Sequence, residues 1–457
     1  ILAAAGLGLT FITLKMGSAL IGIFAIPAIY ALARVWFGTS VALSATFLLA
    51  VSRWYLIASR GGFRYSFSPV MTALTGLFLL RALRYRRRND FLLLGFVLGV
   101  GMYTYTAFRI IPLAVVACLW IELMLDITRR PDGWERVRRT FINALLAAMV
   151  TLLVFLPLGR FALDHPADFW RRSATRIASA ERPLPGHPLT IFLDNVKNAG
   201  LTFNYRGDIA WVQNVPHAPM FDYVTGAGFF LGAIYALYRL LVHRERFYGY
   251  LLILLFVALL PSALSLAFPA ENPNTPRISM ALPLAVLIAV LPVGLLVSAA
   301  RRLLPPGAAA AALTLALLPL GAHAGQLNFQ HYFVDFARSY KVSSQNSLEV
   351  ARAISGFATS AGDTQDAWLK VWPHWVDTRL VAIQIGQPLW RNHIDTIATA
   401  REHDTAPGPR LYVLSINDHD SQAALALWYP HAVIRDHLSP VSGEVIFRTY
   451  FIPPVQQ

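Results

Sequence analysis

Long apolar runs alternate with short polar or basic segments over the first 326 residues of the chain. A helix needs about 20 predominantly apolar residues to cross a lipid bilayer, and most of these runs approach that length. The pattern predicts ten membrane-spanning helices, at residues 16–36, 40–57, 67–83, 90–106, 109–127, 140–160, 222–242, 248–268, 278–299 and 308–325. We therefore expect a polytopic α-helical membrane protein, with residues 1–326 as its transmembrane domain.

The pattern changes from residue 327 onward, where charged and amide side chains recur and no apolar run is long enough to span. Residue periodicity predicts helices at 347–359 and 422–428 and strands at 368–372, 411–415 and 445–451. Helices and strands that alternate in this way favour a small α/β domain in residues 327–457. Its strands are followed by no glycine-rich phosphate loop and no nucleophile elbow, so we expect a binding or packing domain.

The composition agrees with a membrane protein. The chain is 56% hydrophobic and 14% charged, with a mean hydropathy of +0.50, which excludes a soluble enzyme of this size. Its net charge of +14 does not predict nucleic-acid binding, because the basic residues cluster at the ends of apolar runs. The single cysteine, Cys118, excludes a disulfide framework and a zinc-ligand set, and its apolar surroundings indicate packing.

The basic clusters also predict the topology. If each run crosses the membrane once, the clusters at residues 34, 81–88, 129–139, 239–246 and 301–302 all fall on one side, which the positive-inside rule identifies as cytoplasmic. The opposite side receives a long loop at residues 161–221, which we expect to form a cap, and the C-terminal domain. The sequence therefore predicts a multi-pass cell-membrane protein with an extracytoplasmic C-terminal domain.

Isolated cations remain on the predicted outer side, where topology disfavours them. A guanidinium fork suits a pair of phosphate oxygens, so these cations suggest that the site binds an anion. The predicted substrate-binding residues are Arg60, Arg64, Tyr103, Tyr105, Arg109, Arg277 and Lys15. The alternative is that the cations extend to the interface and that the tyrosines belong to an aromatic belt.

Two acids on the same side are candidates for a general base. Asp208 follows Gly207, which permits a tight turn that would present the carboxylate, although aspartate is also an ordinary turn residue. Glu271 lies between Pro269 and Pro273 and could instead pair with Arg277. No metal-ligand spacing is evident, so we predict no metal site in this sequence.

Several short segments follow one another in a recognisable order. They are KMGSALIGIFAIPAIY with FG at 15–38, SRGGFR at 59–64, YTYTAFR at 103–109, GD with NVP at 207–216, and LPS, PR and ALP at 260–283. Together these segments resemble the GT-C superfamily of integral membrane glycosyltransferases that use polyprenyl-phosphate sugars. Its members include the protein O-mannosyltransferases and the lipid A aminoarabinose transferase. The likeness covers most of the membrane part of the chain.

The resemblance implies a GT-C-like fold and an inverting sugar transfer from a polyprenyl-phosphate-linked donor to an acceptor hydroxyl at the extracytoplasmic face. The acceptor would be a protein, a lipid or a glycan, and no cofactor is expected beyond the lipid donor. In this family an acid in the first outer loop acts as the base. That loop lies upstream of the helix that Lys15 begins, so we expect this sequence to be truncated at its N-terminus. A requirement for a divalent metal stays open, because the upstream loop could carry acidic ligands.

Two other functions use the same residues. A transporter or flippase of a lipid-linked anion would bind the phosphate through the same arginines without forming or breaking a bond. An O-antigen ligase or polymerase-like enzyme would use a lipid-pyrophosphate oligosaccharide as its donor. These alternatives differ from the first in the product that they leave behind.

Overall fold

A computed structural model describes residues 6–129, 133–177, 181–343, 345–373, 375–402 and 408–454. Residues 130–132 of the predicted basic cluster and residues 178–180 of the predicted cap lie outside the described residues. The chain divides into two compact units. One is Lys15–Phe336, and the other contains Ala337–Gln457 together with Ile1–Leu14.

The first unit is helical. Its helices in chain order are α1 (Phe11–Phe37), α2 (Thr39–Val51), α3 (Arg53–Arg60), α4 (Phe67–Tyr85), α5 (Arg88–Thr104), α6 (Ile111–Arg129), α7 (Gly133–Asp164), α8 (Pro166–Ile177), α9 (Pro188–Leu201), α10 (Tyr223–Leu241), α11 (Arg246–Ala263), α12 (Thr275–Ile278), α13 (Leu282–Leu303) and α14 (Pro306–Phe329). The helices α8 and α9 lie in the loop predicted as a cap. A π-helical segment, Gln330–Phe336, continues α14.

Within the described residues, eight helical segments are long and apolar enough to cross a membrane. The pair α2 and α3 forms a ninth when it is counted as one span, and it bends by 60°. The prediction of ten spans differs from this count at one place, because α5 has only 17 residues. Each predicted apolar run nevertheless coincides with a helix, and the polytopic helical fold is confirmed.

Small residues allow the helices to approach closely. A Cβ at Gly95 in α5 would collide with the backbone carbonyl of Ala147 in α7, and one at Gly232 in α10 would collide with that of Ile288 in α13. Helices in a bilayer associate through such contacts, since lipid provides no hydrophobic drive between them. The buried core around them includes Leu32, which is fully buried.

The second unit contains a five-stranded sheet of order β2-β1-β3-β5-β4. The strands are β1 (Ala367–Lys370), β2 (His393–Ile394), β3 (Arg410–Ser415), β4 (Val433–Leu438) and β5 (Val445–Ile452), and the helices are α15 (Ala337–Ser343), α16 (Gln345–Ser360), α17 (Thr378–Gln384), α18 (Thr399–Glu402) and α19 (His419–Trp428). The strands β1, β2 and β3 are parallel, whereas β5 pairs antiparallel with β3 and β4.

The small α/β domain predicted from the sequence is confirmed. The three predicted strands correspond to β1, β3 and β5, and the two predicted helices to α16 and α19. All six residues of β3 are buried, which explains its nearly continuous apolar run. The strand β4 was not predicted, because as an exposed edge strand it lacks a buried face and the alternation that goes with one.

Candidate functional site

Tyr105 lies in the turn between α5 and α6, and the charges of four arginines act on its hydroxyl. Burial raises the pKa of its hydroxyl, and four guanidinium groups oppose that shift. In order of effect they belong to Arg277, Arg172, Arg64 and Arg176. We call these four residues the arginine cluster. It joins the turn after α3, the helix α8 and the short helix α12, which are distant in sequence.

The position of Arg277 is fixed by two partners. Its Nη1 donates to Ser265 Oγ at 2.7 Å, and its Nη2 forms an ion pair with Glu271. Its side chain is only 12% exposed. Glu271 therefore pairs with Arg277. This was the alternative to its role as a general base in the sequence analysis.

Arg176 is held less completely. Its guanidinium lies over the Phe268 ring, 4.1 Å from the centroid, and its Nη1 is 3.9 Å from Glu271 and 3.8 Å from Glu181. These separations exceed hydrogen-bond distance. Among the described residues, the buried Nε and Nη1 of Arg176 find no hydrogen-bond acceptor. The cluster therefore keeps buried donors that a phosphate oxygen could satisfy.

The other two members of the cluster are exposed. Across the residues that the structure describes, Arg64 and Arg172 have no carboxylate within 4 Å. Four guanidinium groups thus face the carboxylates of Glu271 and Glu181, with Asp208 also close enough to interact with Arg277, so the surroundings of Tyr105 keep an excess of positive charge. An excess of this kind favours an anionic ligand.

Arg109 contacts α8, the helix that contains Arg172 and Arg176. Its guanidinium lies 3.9 Å from the centroid of the Phe169 ring, and its Nη1 lies 3.4 Å from the Phe169 carbonyl oxygen. Phe169, Arg172 and Arg176 are three and four residues apart, so they lie on one face of α8. Sequence reasoning did not single out Arg172 and Arg176, although this helical spacing was visible in the sequence.

Asp208 connects the long loop to α12 through a hydrogen bond. Its Oδ1 accepts a hydrogen bond from Ala210 N at 2.9 Å, and its Oδ2 accepts one from Thr275 N at 2.7 Å. Burial raises the pKa of this carboxyl, while those hydrogen bonds and the charge of Arg277 oppose the shift. Because Thr275 lies two residues before Arg277, Asp208 helps to position the cluster. Its carboxylate points into the protein and both oxygens have partners.

The remaining predicted site residues have other contacts. Arg60 lies over the rings of Tyr332 and Phe333, with 5.4 and 5.8 Å to the centroids, and its charge acts on Lys15. Arg60 at the end of α3 and Lys15 in α1 thus form a second basic group, beside the π-helical segment that continues α14. Of the four predicted arginines, Arg64 and Arg277 both act on Tyr105, Arg109 contacts α8, and Arg60 lies over Tyr332 and Phe333.

Tyr103 interacts with the backbone of α7. Its hydroxyl donates to Val154 O at 2.8 Å and accepts from Leu158 N at 3.2 Å. These two backbone groups flank Pro157, which lies inside α7. The hydroxyl is therefore inserted into the helical hydrogen-bond ladder beside a proline, a known cause of helix kinks.

No group of three or more His, Cys, Asp or Glu side chains that could hold a metal ion occurs in the described part of the chain. The guanidinium groups and the phenol of the described site can bind an anion. The nearby carboxylates of Asp208 and Glu271 are both engaged by protein partners.

Comparison with known proteins agrees with this architecture. Residues 7–159, one third of the chain, match the model of the dolichyl-phosphate-mannose-protein mannosyltransferase family. A search of curated protein sequences found no match. Among solved structures, ArnT from Cupriavidus metallidurans bound to undecaprenyl phosphate is similar, with a TM-score of 0.60, 15% identity, and coverage of 97% of this chain and 84% of that chain. For the apo state of ArnT the TM-score is 0.58, again at 15% identity, with 96% and 83% coverage.

At this identity the structural likeness concerns the fold, because function depends on particular residues rather than on architecture. It extends over nearly the whole chain, including the C-terminal sheet unit. Together with the family match, it confirms the resemblance to the GT-C superfamily that was predicted from the sequence.

Proposed function

We propose that the chain is an integral membrane glycosyltransferase that moves a sugar from a polyprenyl-phosphate-linked donor to an acceptor at the extracytoplasmic face. The proposal rests on one observation, the arginine cluster around Tyr105. The GT-C fold and the family match over residues 7–159 support the class of reaction. The undecaprenyl phosphate bound by ArnT supports the class of lipid carrier.

The reaction explains why cations are required. The acceptor oxygen forms a bond to the anomeric carbon, and the bond from that carbon to the phosphate oxygen breaks. The lipid phosphate leaves with the electron pair, so negative charge grows on its oxygens. Guanidinium groups placed beforehand stabilise that charge, and each can contact two oxygens at once.

The four members of the cluster divide this task. Arg277 is fixed by Ser265 and Glu271, and it sets the position of the phosphate. The exposed side chains of Arg64 and Arg172 reach the phosphate oxygens, and Arg176 contributes its buried unpaired donors. Tyr105 adds a hydroxyl on which all four charges act.

The proton of the acceptor hydroxyl must pass to a base, for which the family resemblance implies an acid in the first outer loop, and the two acids predicted in this sequence fit that role poorly. Asp208 uses both carboxylate oxygens for backbone hydrogen bonds, and Glu271 neutralises Arg277. We therefore assign Asp208 and Glu271 to positioning. Arg109, which contacts α8 through Phe169, is proposed to position that helix, whereas Arg60 and Lys15 remain predicted contacts of the donor.

Two adjacent arginines on α8 provide the test. Replacing Arg172 by Ala removes a charged donor from the cluster, whereas Arg171→Ala removes the same charge from another face of the helix. A hydrogen bond to a charged group contributes about 1.5–3 kcal/mol, so we expect kcat/KM for a labelled polyprenyl-phosphate sugar to fall about 10- to 100-fold in Arg172→Ala. The Arg171→Ala variant should retain wild-type turnover.

Equal turnover in both variants and the wild type would refute a role for the cluster. The product distinguishes the alternatives. A labelled lipid that crosses the bilayer without forming a glycoconjugate would indicate a flippase. A pyrophosphate left on the lipid would indicate a ligase or polymerase-like enzyme.

A further inference from the structure

A second candidate site lies at the other end of the helices. The helix α6 begins beside Tyr105 and runs away from it, and near its far end a cavity of about 640 Å³ opens between α6, α10 and α11. Its apolar walls are formed by Ile121, Leu125, Leu240, Leu252, Ile253 and Phe256. Its polar lining comes from Arg244, Arg246 and Tyr250. The cavity is thus mainly apolar, with two arginines in its polar lining.

The acids near the cavity are already neutralised. Glu122 accepts a hydrogen bond from the Tyr250 hydroxyl at 2.6 Å and pairs with Arg246 at 3.2 Å. Arg86 bridges Glu122 at 2.9 Å and Asp126 at 2.6 Å. Two arginines therefore face two carboxylates, and this network has no net charge.

Arg244 is not part of this neutral network. The neighbouring residue Glu245 forms an ion pair with Arg239 rather than with Arg244. Within the part of the chain that the structure describes, Arg244 has no ion pair and no hydrogen-bond partner for its side chain. Its backbone has φ of 53°, in the left-handed region that is uncommon for residues other than glycine. One uncompensated cation thus lies exposed at the edge of an apolar cavity.

We propose that this cavity binds one anionic phospholipid, with an acyl chain against the apolar walls and the headgroup phosphate at Arg244. The volume lies within the range of small-molecule sites, and Phe256 on its wall is 51% exposed, so a lipid can enter from the side. Basic pockets between transmembrane helices on the cytoplasmic side suit anionic headgroups. Charge complementarity favours an anionic lipid over a zwitterionic one. The site does not depend on the proposed sugar transfer, which occurs at the opposite end of α6.

Native mass spectrometry of the full chain in detergent can measure the occupancy. The probes are dioleoyl phosphatidylglycerol and dioleoyl phosphatidylcholine, offered at equal concentration. Wild-type protein should retain one phosphatidylglycerol in preference to phosphatidylcholine. An arginine near a membrane surface contributes about 1 kcal/mol to binding an anionic lipid, so Arg244→Ala should lower phosphatidylglycerol affinity about fivefold and remove the preference.

Two further variants define the site. Arg302→Ala removes an exposed arginine at the end of α13, outside the cavity, and should leave the preference unchanged. Ile253→Trp fills the cavity without changing its charge and should lower the retention of phosphatidylglycerol. The proposal is overturned if Arg244→Ala binds as the wild type does, if Arg302→Ala causes an equal loss, or if Ile253→Trp binds normally. Displacement of the lipid by millimolar inorganic phosphate alone would also overturn it, because the acyl chain would then contribute nothing.

Discussion

The side chains of the arginine cluster differ in how many hydrogen-bond and ion-pair partners each one has. Arg277 has a hydroxyl and a carboxylate as partners, whereas Arg64 and Arg172 have no acidic partner among the described residues. A guanidinium that is already held loses little conformational freedom when a ligand arrives, and an unpaired one offers all its donors. The cluster thus combines a preorganised cation with two adaptable ones.

The preorganisation of Arg277 depends on Asp208, and this gives a prediction. In Asp208→Asn one carboxylate oxygen becomes an amide NH₂, which cannot accept a hydrogen bond. Either Ala210 N or Thr275 N then loses its acceptor in a buried site, at a cost of about 1–3 kcal/mol. We expect the free energy of unfolding in detergent to fall by this amount, as measured by denaturant titration.

An exposed acid on a nearby helix provides the control. Asp194 in α9 is exposed, and Asp194→Asn should change the unfolding free energy by less than about 0.5 kcal/mol. If Asp208→Asn proves as stable as Asp194→Asn, the carboxylate of Asp208 does not anchor α12.

At the scale of the elements, the apolar runs sufficed to predict the helices, but not where two of them would bend. Residues 40–57 contain neither proline nor glycine, yet the chain turns by 60° between α2 and α3. At that point the backbone N–H of Arg53 donates to Asn328 Oδ1 at 2.8 Å, and the Arg53 side chain hydrogen-bonds the carbonyl of Pro219. The bend depends on partners far away in sequence, which local patterns do not contain.

The sequence likewise identified some residues of the candidate site and missed others. Arg64 and Arg277 were identified because they violate the positive-inside rule, a property of the sequence alone. The spacing of Arg172 and Arg176 predicts that they share one face of a helix, but nothing in the sequence shows that this face packs towards the candidate site. The contact of Arg60 with the rings of Tyr332 and Phe333 likewise joins segments far apart in sequence, which local patterns do not show.

Two tyrosines at the end of α5, Tyr103 in its last turn and Tyr105 just after it, have different roles in the structure. The Tyr103 hydroxyl is bound to the backbone of α7, whereas Tyr105 lies among the arginines. We expect Tyr103→Phe to lower the free energy of unfolding by about 0.5–1.5 kcal/mol and to leave donor turnover near the wild-type value. Tyr105→Phe should instead lower kcat/KM by about tenfold with little change in stability.

Measuring unfolding and turnover for both variants tests this assignment, because each variant controls for the other. A loss of turnover in Tyr103→Phe that exceeds the loss in Tyr105→Phe would contradict it. Tyr103 would then belong to the substrate platform that the sequence first suggested.

For the whole molecule, the two ends of the helical body differ in how their arginines are compensated. At one end Arg86 and Arg246 pair with the buried acids Glu122 and Asp126. At the other end, Arg176 and Arg277 lie near Glu271 and Arg176 also near Glu181, whereas Arg64 and Arg172 have no carboxylate within 4 Å among the described residues. The first arrangement is expected where topology requires cations, and the second where a ligand supplies the missing negative charge.

The assignment of sides is testable because the chain has a single cysteine, and Cys118 is fully buried. Two exposed positions in the helical unit can carry a new thiol, since Tyr205 in the long loop is 74% exposed and Leu303 at the end of α13 is 80% exposed. If basic clusters mark the cytoplasm, a membrane-impermeant maleimide applied to right-side-out membranes should label Tyr205→Cys at once. It should label Leu303→Cys only after permeabilisation, and wild-type protein with Cys118 alone should stay unlabelled throughout. The reverse pattern would place the arginine cluster in the cytoplasm, where it could not receive a donor from the outer leaflet.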